Sequence, residues 1–188
     1  MRYSSEHAKA TRARILEACA RQFRLHGFGG VGVEGLSRAA DVTTGAFYNH
    51  LGSKAAAFAH VVRSGVDRLR AGVEHFRRAH GERWLPAFAD YYLGADHRRD
   101  VAGGCALPSL SAEVAHADAE TRAAYQAELL RVAELVAGGS ADPAGREAAW
   151  RLLALLAGGV MLSRAVVDPG IADEIARAVR KAVDERSG

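Results

Sequence analysis

The stretch that decides the fold is VTTGAFYNHLGSK, residues 42–54. Thr43 or Thr44 can cap the N-terminus of a short helix within it, and Gly52 can end that helix. Another short helix, of about two turns, is predicted just before it at residues 33–40, where apolar side chains recur at helical spacing. Two short helices joined by a tight turn have the arrangement of a helix-turn-helix.

Outward from this stretch, nearly the whole chain has the period of an α-helix, and no segment alternates at period two for long enough to form a strand. The first helix places Cys19 and Phe23 on one apolar face, with Arg24 outside that face. We therefore predict an all-α fold of about nine helices, favoured further by the abundance of alanine. The first three helices form a head at residues 1–53, and the others form a helical body at residues 54–188.

Basic residues are concentrated in the head. Residues 1–54 carry eight lysines and arginines against four acids, a net charge of +4, so the remaining residues carry −1 of the chain's +3. A basic segment on a near-neutral body indicates a surface that binds a polyanion. A solvated surface that happens to be basic explains the same charge equally well, and the bias alone does not separate the two interpretations.

Length and composition exclude several classes of protein. A chain of 188 residues, 49% of them hydrophobic, fits one compact unit and excludes disordered, collagen-like and low-complexity proteins. Two cysteines provide no disulfide framework and the N-terminus has no apolar segment, so we expect a cytoplasmic protein. The longest apolar stretch, residues 152–162, is shorter than the roughly 20 residues that cross a bilayer, so we expect no membrane contact.

Catalytic and metal-binding motifs are not found in the sequence. The histidines and cysteines lack the spacing of a metal site. No nucleophile elbow, phosphate-binding loop or zinc-protease motif occurs either. We therefore predict no metal, no cofactor and no enzymatic activity.

Three parts of the head together resemble the DNA-binding domain of TetR-family transcriptional regulators. They are TRARILEA at residues 11–18, the pair Gly27-Phe28, and the stretch at residues 42–54. The resemblance covers about residues 9–69, and the order and spacing of the three parts follow the family pattern.

The chain departs from that pattern at two places. Val31 and Gly32 stand where the family usually has Thr or Ser at the start of its second helix, so a hydroxyl that would bond phosphate is missing there. Leu51 replaces the usual Phe, an exchange between core side chains of modest consequence.

The resemblance implies which residues contact DNA. With Asn49 added as a possible base-reading residue, the predicted DNA contacts are Thr43, Thr44, Gly45, Tyr48, Asn49, His50 and Lys54. Gly45 has a physical reason to be small, because a side chain there would hold the helix off the groove. Tyr48 suits a phosphate or a thymine methyl group better than one unique base, so Thr44 and Asn49 are expected to carry specificity. Asn49 could equally be a solvated surface residue.

The C-terminal helices predict a homodimer. A helix over residues 152–162 is apolar all round and must be covered on every side, and the final helix carries one apolar stripe. Together they fit an isologous four-helix interface with two helices from each subunit. The predicted interface residues are Leu152, Leu153, Leu156, Val160, Ile171, Ile175 and Val179. The alternative is a buried helix pair in a monomer, and the dimer is favoured because a twofold dimer reads a palindrome.

The middle helices hold most of the aromatic side chains. Aromatic walls with a few polar groups are typical of a ligand site in a helical body, although each residue taken alone fits an ordinary core position. The predicted effector pocket comprises Phe58, Val62, Trp84, Phe88, Tyr92, Cys105 and Tyr125.

Cys105 suggests another way in which the body could sense a signal. It lies just before a helix that Pro108 opens, and His97, Arg98 and Arg99 are close in sequence. A helix N-terminus and nearby cations predict a lowered thiol pKa and a thiolate. A Gly-Cys pair before this helix also occurs in a branch of TetR-like regulators, some of which sense electrophiles through the cysteine. The alternative is a small buried apolar residue.

These features predict a repressor that binds a palindromic double-stranded operator and leaves it when a small molecule binds the body. The helix that starts at Ser53-Lys54 is continuous from head to body, so an effector that displaces it changes the separation of the two reading helices. Two rival hypotheses remain. One is a regulator switched by oxidation or covalent modification of Cys105, and the other is a small helical ligand-binding protein or enzyme.

Overall fold

The computed structural model describes residues 2–139 and 142–185, which form ten α-helices and one 3-10 turn and contain no strand. The outermost residues of the two predicted domains, Met1 and residues 186–188, lie outside the described residues. The helices are α1 (Arg2–His26), α2 (Val33–Ala39), α3 (Thr44–Leu51), α4 (Lys54–His80), α5 (Trp84–Leu93), α6 (Ala95–Arg99), α7 (Ala106–Ala115), α8 (Ala119–Val136), α9 (Pro143–Ala165) and α10 (Pro169–Asp184), with the 3-10 turn at Gly81–Arg83.

The predicted all-α fold is confirmed, and each of the nine predicted helices is present. The described chain has one helix more than predicted, the five-residue α6. Gly94 separates α6 from α5 because its backbone is extended, with φ −61° and ψ 151°.

The head is built around apolar side chains of α1. Cys19 and Phe23 have no exposed surface and lie in one cluster with Leu36 of α2 and Phe47 of α3. Helix α1 ends before Gly27, whose left-handed φ of 70° favours glycine and whose N–H donates to the Phe23 carbonyl at 2.9 Å. The helix-turn-helix of α2 and α3 is thus held on α1 by a shared apolar core.

Two helices join the head to the body. Helix α4 begins after its N-cap Ser53, whose Oγ accepts from the Ala56 N–H at 3.0 Å, and it runs without interruption from head to body. Helix α7 also enters the head, because Ala106, Leu110 and Val114 are buried in the same cluster as the α1 side chains. A body helix therefore completes the core of the head, which the sequence pattern did not indicate.

Helix α9 is covered on one side by its own subunit. Leu152, Leu153, Leu156 and Val160 are buried in the body core, together with side chains of α4, α5, α7, α8 and α10. The prediction that these four residues lie at the subunit interface is corrected accordingly. Their side chains already have partners within one chain, so they offer little surface to a partner subunit.

Helix α9 is also long and apolar enough, by length and composition alone, to cross a membrane. The apolar stretch at residues 152–162 lies within this helix of 23 residues, and the absence of membrane contact stays a prediction. A core helix of a soluble protein satisfies the same two criteria, and α9 packs against α10, α8 and α5.

Arg164, near the end of α9, ties that helix to the segment between α6 and α7. Its Nε donates to the Arg98 carbonyl at 2.9 Å and its Nη1 to Ser109 Oγ at 3.0 Å. Its Nη2 donates to the His97 carbonyl at 3.1 Å and to the Asp100 carbonyl at 3.3 Å. Burial lowers the pKa of Arg164, against the raising effects of Tyr92, Cys105 and Asp100. Three backbone carbonyls of the α6 region thus depend on one side chain.

Replacing Arg164 by alanine is expected to lower the free energy of unfolding by about 3 kcal/mol, because hydrogen bonds to a charged group contribute roughly 1.5–3 kcal/mol and carbonyls would lose their donor. Urea denaturation followed by circular dichroism measures this change. Arg151→Ala on the same helix is the control, since the exposed Arg151–Glu147 pair is worth at most about 0.5 kcal/mol. Equal stability of the two variants would contradict the structural role of Arg164.

Candidate nucleic-acid interface

Helix α3 has one buried side and one open side. Thr43 caps it, since its Oγ1 accepts from the Ala46 N–H at 3.1 Å. Phe47 and Leu51, one turn apart, are buried and fix the helix on the head. The exposed residues on the opposite side are Thr44, Gly45, Tyr48 and Asn49. The structure therefore brings four of the predicted DNA contacts onto one open face of a helix anchored by the head core.

Nothing within the described part of the subunit requires a glycine at position 45. A Cβ built at this position has no neighbour nearer than Thr43 Oγ1 at 3.9 Å, which leaves the space above it open. Its φ also lies outside the left-handed region that favours glycine. Neither packing nor backbone conformation within the described chain requires glycine here, and the close approach of DNA to Gly45 stays a prediction.

Tyr48 projects from the centre of the open face. Half of its surface (50%) is exposed, and its ring meets the buried Phe47 ring edge to face at 5.8 Å between centroids. The aromatic ring is thus supported by the head core while the hydroxyl group stays accessible. His50 is partly buried and lies on the flank of this face. That these side chains contact DNA stays a prediction.

Lys54 lies beside the turn that follows α1. Its Nζ is 4.3 Å from the centroid of the Phe28 ring, a cation–π contact. Two parts of the sequence that carry the family resemblance, Gly27-Phe28 and Lys54, therefore meet in space. The N-cap residue of α2 is Gly32, which has no side chain to accept a hydrogen bond. This agrees with the absence of the Thr or Ser hydroxyl that the family usually has at the start of its second helix. The first backbone N–H groups of α2 are left without a side-chain acceptor.

The body contains a cavity of about 210 Å³ between α4, α5, α6 and the loop before α7. Three of the seven predicted effector-pocket residues line it: Phe88, Tyr92 and Cys105. The wall residues that the sequence reasoning missed include Arg68, Gly72 and His97. Their signal was weak, since a single arginine, glycine or histidine among helical residues has many ordinary explanations.

The structure places the other four predicted pocket residues elsewhere. Phe58 and Val62 are buried in the head cluster, where the Phe58 ring meets the Phe23 ring at 5.3 Å, so they are removed from the pocket. Trp84 lines a separate recess between α5, α8 and α9. Tyr125 donates or accepts a hydrogen bond with Ser111 Oγ at 2.7 Å and packs against both cores. The aromatic composition of the sequence does not tell which of these side chains pack in the head core and which pack in the body core.

The thiol of Cys105 differs from the sequence-based prediction. Burial raises its pKa, and the hydrogen bond from Tyr92, the Leu107 backbone, Arg24 and Arg164 oppose that shift without overcoming it. Burial likewise raises the pKa of Tyr92, which stays a protonated hydroxyl. The expected thiolate is therefore wrong for the folded protein, because desolvation exceeds the effect of the helix N-terminus and the cations.

Two polar contacts connect the head to the cavity region. Arg24 of α1 has 5% of its surface exposed, and its Nη1 donates to the Ala102 carbonyl at 3.2 Å, beside the cavity loop. Glu113 of α7 accepts from the Phe28 N–H at 3.0 Å. The prediction that Arg24 lies outside the apolar face of α1 was wrong. Its position four residues after the buried Ala20 was the signal that it lies on the buried side.

The head and the whole fold match known proteins. Residues 15–61 match the family model of the bacterial regulatory proteins, tetR family. The whole chain is similar to the reduced form of NemR from E. coli, with a TM-score of 0.79 at 19% identity over 94% of this chain and 96% of that one. It is also similar to a TetR-family regulator from Cytophaga hutchinsonii, with a TM-score of 0.79 at 18% identity over 95% of this chain and 96% of that one.

A TetR-family regulator from Agrobacterium tumefaciens has a TM-score of 0.77 at 16% identity, over 93% of this chain and 98% of that one. None of the curated proteins compared with the chain matches it. At these identities the solved structures share the fold, and the family model matches the helix-turn-helix itself. The chain is therefore a DNA-binding transcriptional regulator whose N-terminal domain belongs to the tetR family.

Proposed function

We propose that the protein is a cytoplasmic, homodimeric repressor that binds a palindromic operator and is released from it by a small molecule bound in the body. The observation that carries this proposal is the open face of α3, where Gly45 leaves room for another surface. A short reading helix contacts only a few base pairs, so a twofold dimer is needed to gain affinity and to read a palindrome.

The free side of α9 supplies the surface for a second copy of the chain. Leu162 has 60% of its surface exposed, and Met161 beside it has 46%. Ala154, about two turns before Met161 on α9, is also exposed, and Ile171 of α10 adds a further exposed apolar side chain. An apolar patch on two adjacent helices suits an isologous four-helix interface. Of the residues predicted from sequence, Ile171, Ile175 and Val179 remain candidates for it.

Two routes connect the cavity to the reading head. Helix α4 supplies Arg68 and Gly72 to the cavity wall and carries the head on its N-terminal end. Helix α7 begins after Cys105 in the same wall, and its Leu110 and Glu113 contact the head through apolar packing and the bond to the Phe28 N–H. A ligand that shifts either helix would move the head, and a preference of a few kcal/mol for the shifted state suffices for release.

The experiment that tests DNA reading is fluorescence anisotropy of the protein on a labelled duplex selected from a random pool. Tyr48→Ala is expected to weaken binding about 10- to 100-fold per half-site, because a hydrogen bond to a charged phosphate contributes about 1.5–3 kcal/mol. Tyr48→Phe is the matched control that removes only the hydroxyl group. Affinity should also fall steeply with salt.

Failure to select any sequence from the pool, or unchanged affinity in Tyr48→Ala, would contradict reading by the open face of α3. If no sequence is selected from the pool, a small helical ligand-binding protein becomes the better interpretation of this chain. An affinity lost equally in Tyr48→Phe and Tyr48→Ala would assign the effect to the hydroxyl group, and an affinity lost only in Tyr48→Ala would assign it to the ring.

A second candidate mode of regulation is covalent modification of Cys105. Cys105 lines the cavity and stands at the N-cap position of α7, so an adduct on its thiol would act on the helix that contacts the head. The structurally similar NemR is described in a reduced form, which supports keeping this candidate. Cys105→Ser separates the two modes: loss of the response to an oxidant or electrophile with DNA affinity intact supports the covalent one.

A further inference from the structure

The wall of the cavity combines three kinds of surface. Arg68, Leu69 and Gly72 lie on one side of α4 with Gly65, because residues three and four apart share a helix face. Helix α5 supplies three aromatic rings, and the loop before α7 supplies Gly103, Gly104 and the Cys105 thiol. The wall thus combines aromatic rings, backbone of glycine residues and a few polar side chains.

Among the described residues that line the cavity, Arg68 is an exposed cation and none is an aspartate or glutamate. Among the described residues, no carboxylate oxygen lies within 4 Å of the Arg68 guanidinium. The neighbouring carboxylate of Asp100 accepts from the Gly103 N–H at 2.8 Å and is exposed outside the lining.

Arg24 adds a buried cation behind the same wall. Its Nη2 lies 3.7 Å from a Cβ built on Gly65, a residue of the cavity wall. Its Nε is buried and has no hydrogen-bond partner. Burial and the nearby Arg68 lower the pKa of Arg24 to about 10, which still leaves it charged at neutral pH. Glu17, Cys105 and Asp100 oppose that shift in part. A bound anion would offset more of the cost of burying this charge.

The size of the cavity limits the ligand. A cavity of about 150 Å³ in another protein holds benzene, so about 210 Å³ holds one ring with a small substituent. The rings of Phe88 and Tyr92, 5.4 Å apart between centroids, offer an aromatic surface to such a ring. Gly72 keeps the opposite side open, since a Cβ built there meets nothing within 4 Å.

We propose that the cavity binds a small carboxylic acid with a single ring, whose carboxylate is held by Arg68 and the field of Arg24 while its ring rests on Phe88 and Tyr92. This inference rests on the proposed function, in which the cavity is the effector site. Arg24 belongs to α1 of the head, so the charge of the ligand acts directly on the DNA-binding domain. Cationic compounds of the same size would be repelled by the two guanidinium groups, and neutral ones would lack the charge interaction.

Cys105 serves as a reporter of the charge of the cavity. Iodoacetate and iodoacetamide alkylate a thiol in the same way: the sulfur displaces iodide, a carbon–sulfur bond forms and the thiol proton goes to water. The reagents have nearly the same size and differ by one negative charge. Cys19 is fully buried, and burial raises its pKa to about 11, so alkylation of the folded protein reports Cys105.

The ratio of the iodoacetate rate to the iodoacetamide rate is expected to be about tenfold higher in the folded protein than in the same chain unfolded in urea, because a cationic cleft raises the local concentration of anions. Arg68→Gln should return the ratio most of the way to the unfolded value. The control is Arg78→Gln, an exposed arginine on α4 that does not line the cavity. Equal ratios in the folded and unfolded protein would overturn the proposal.

Benzoate and its neutral counterpart benzamide test the ring and the consequence for DNA. Calorimetry with the full-length protein should show benzoate binding at least about tenfold more tightly than benzamide, with the difference lost in Arg68→Gln. Equal binding of the two, or no benzoate binding, overturns the proposal. If benzoate binds selectively but does not release the selected duplex, the acid site stands and the proposed link between effector and operator fails.

Discussion

Replacing Gly45 by alanine is expected to weaken operator binding about 100-fold while making the protein more stable. Alanine in a helix is favoured over glycine by about 0.5–1 kcal/mol, and nothing in the subunit obstructs the added methyl group. On DNA the same methyl group lies between α3 and the groove, so each half-site of the dimer would lose at least about 1.4 kcal/mol of contact energy. Thermal unfolding and fluorescence anisotropy on the selected duplex measure the two effects separately.

Gly72→Ala is the matched control for this prediction. Gly72 is also helical, and a Cβ there also meets nothing within 4 Å, but it lines the cavity of the body. The control should gain similar stability and keep the DNA affinity of the parent protein. If Gly45→Ala bound the operator as tightly as Gly72→Ala does, α3 would not approach the groove along its open face.

The head could be predicted from sequence because its signals are local. The cap at Thr43, the end of the helix at Gly52 and the cap at Ser53 all lie within residues 42–54, and the structure has each of them. Local signals of this kind depend on hydrogen bonds between near neighbours in the chain. Phe47 then orients the helix, because one large buried side chain decides which face stays open.

The cavity could not be predicted in the same way, because its parts come from distant segments. Arg24 and Ala102 are 78 residues apart in sequence, and only the packing of α7 into the head brings them together. The Cys105 thiol shows the same limit: cations near it in sequence predicted a lowered pKa, whereas burial by the assembled core raises it. Burial and long-range pairing are properties of the whole fold.

The interface residues on α9 illustrate a different ambiguity. A helix that is apolar on every side must be covered on every side, but the pattern does not tell which side faces the subunit core. The structure resolves this, since Leu156 has 1% of its surface exposed and Leu162, less than two turns later, has 60%. The four residues of α9 that were predicted for the interface belong to the core, and the exposed apolar side chains lie elsewhere on the same helix.

Leu162→Glu is accordingly expected to convert the dimer to monomers and to abolish binding to the palindrome. In a twofold interface each substitution occurs twice, and burying a leucine contributes about 1.5–3 kcal/mol, so the dimer should weaken by a factor of about 10² to 10⁴ before the repulsion between two carboxylates is counted. The isolated subunit should keep its helical circular dichroism, because Leu162 is not part of its core. Sedimentation equilibrium measures the change in oligomeric state.

Leu25→Glu is the control for oligomeric state, since Leu25 is a leucine of comparable exposure, 48%, on α1 of the head. That variant should sediment like the parent protein.

If Leu162→Glu also sedimented as a dimer, the subunits would have to meet through another surface. If Leu162→Glu instead lost its helical circular dichroism, Leu162 would belong to the core of the subunit. The two heads would then have to be joined through another surface in order to bind the two halves of a palindrome. If Leu162→Glu remained folded, monomeric and unable to bind the selected duplex, operator recognition would require two heads held by α9 and α10.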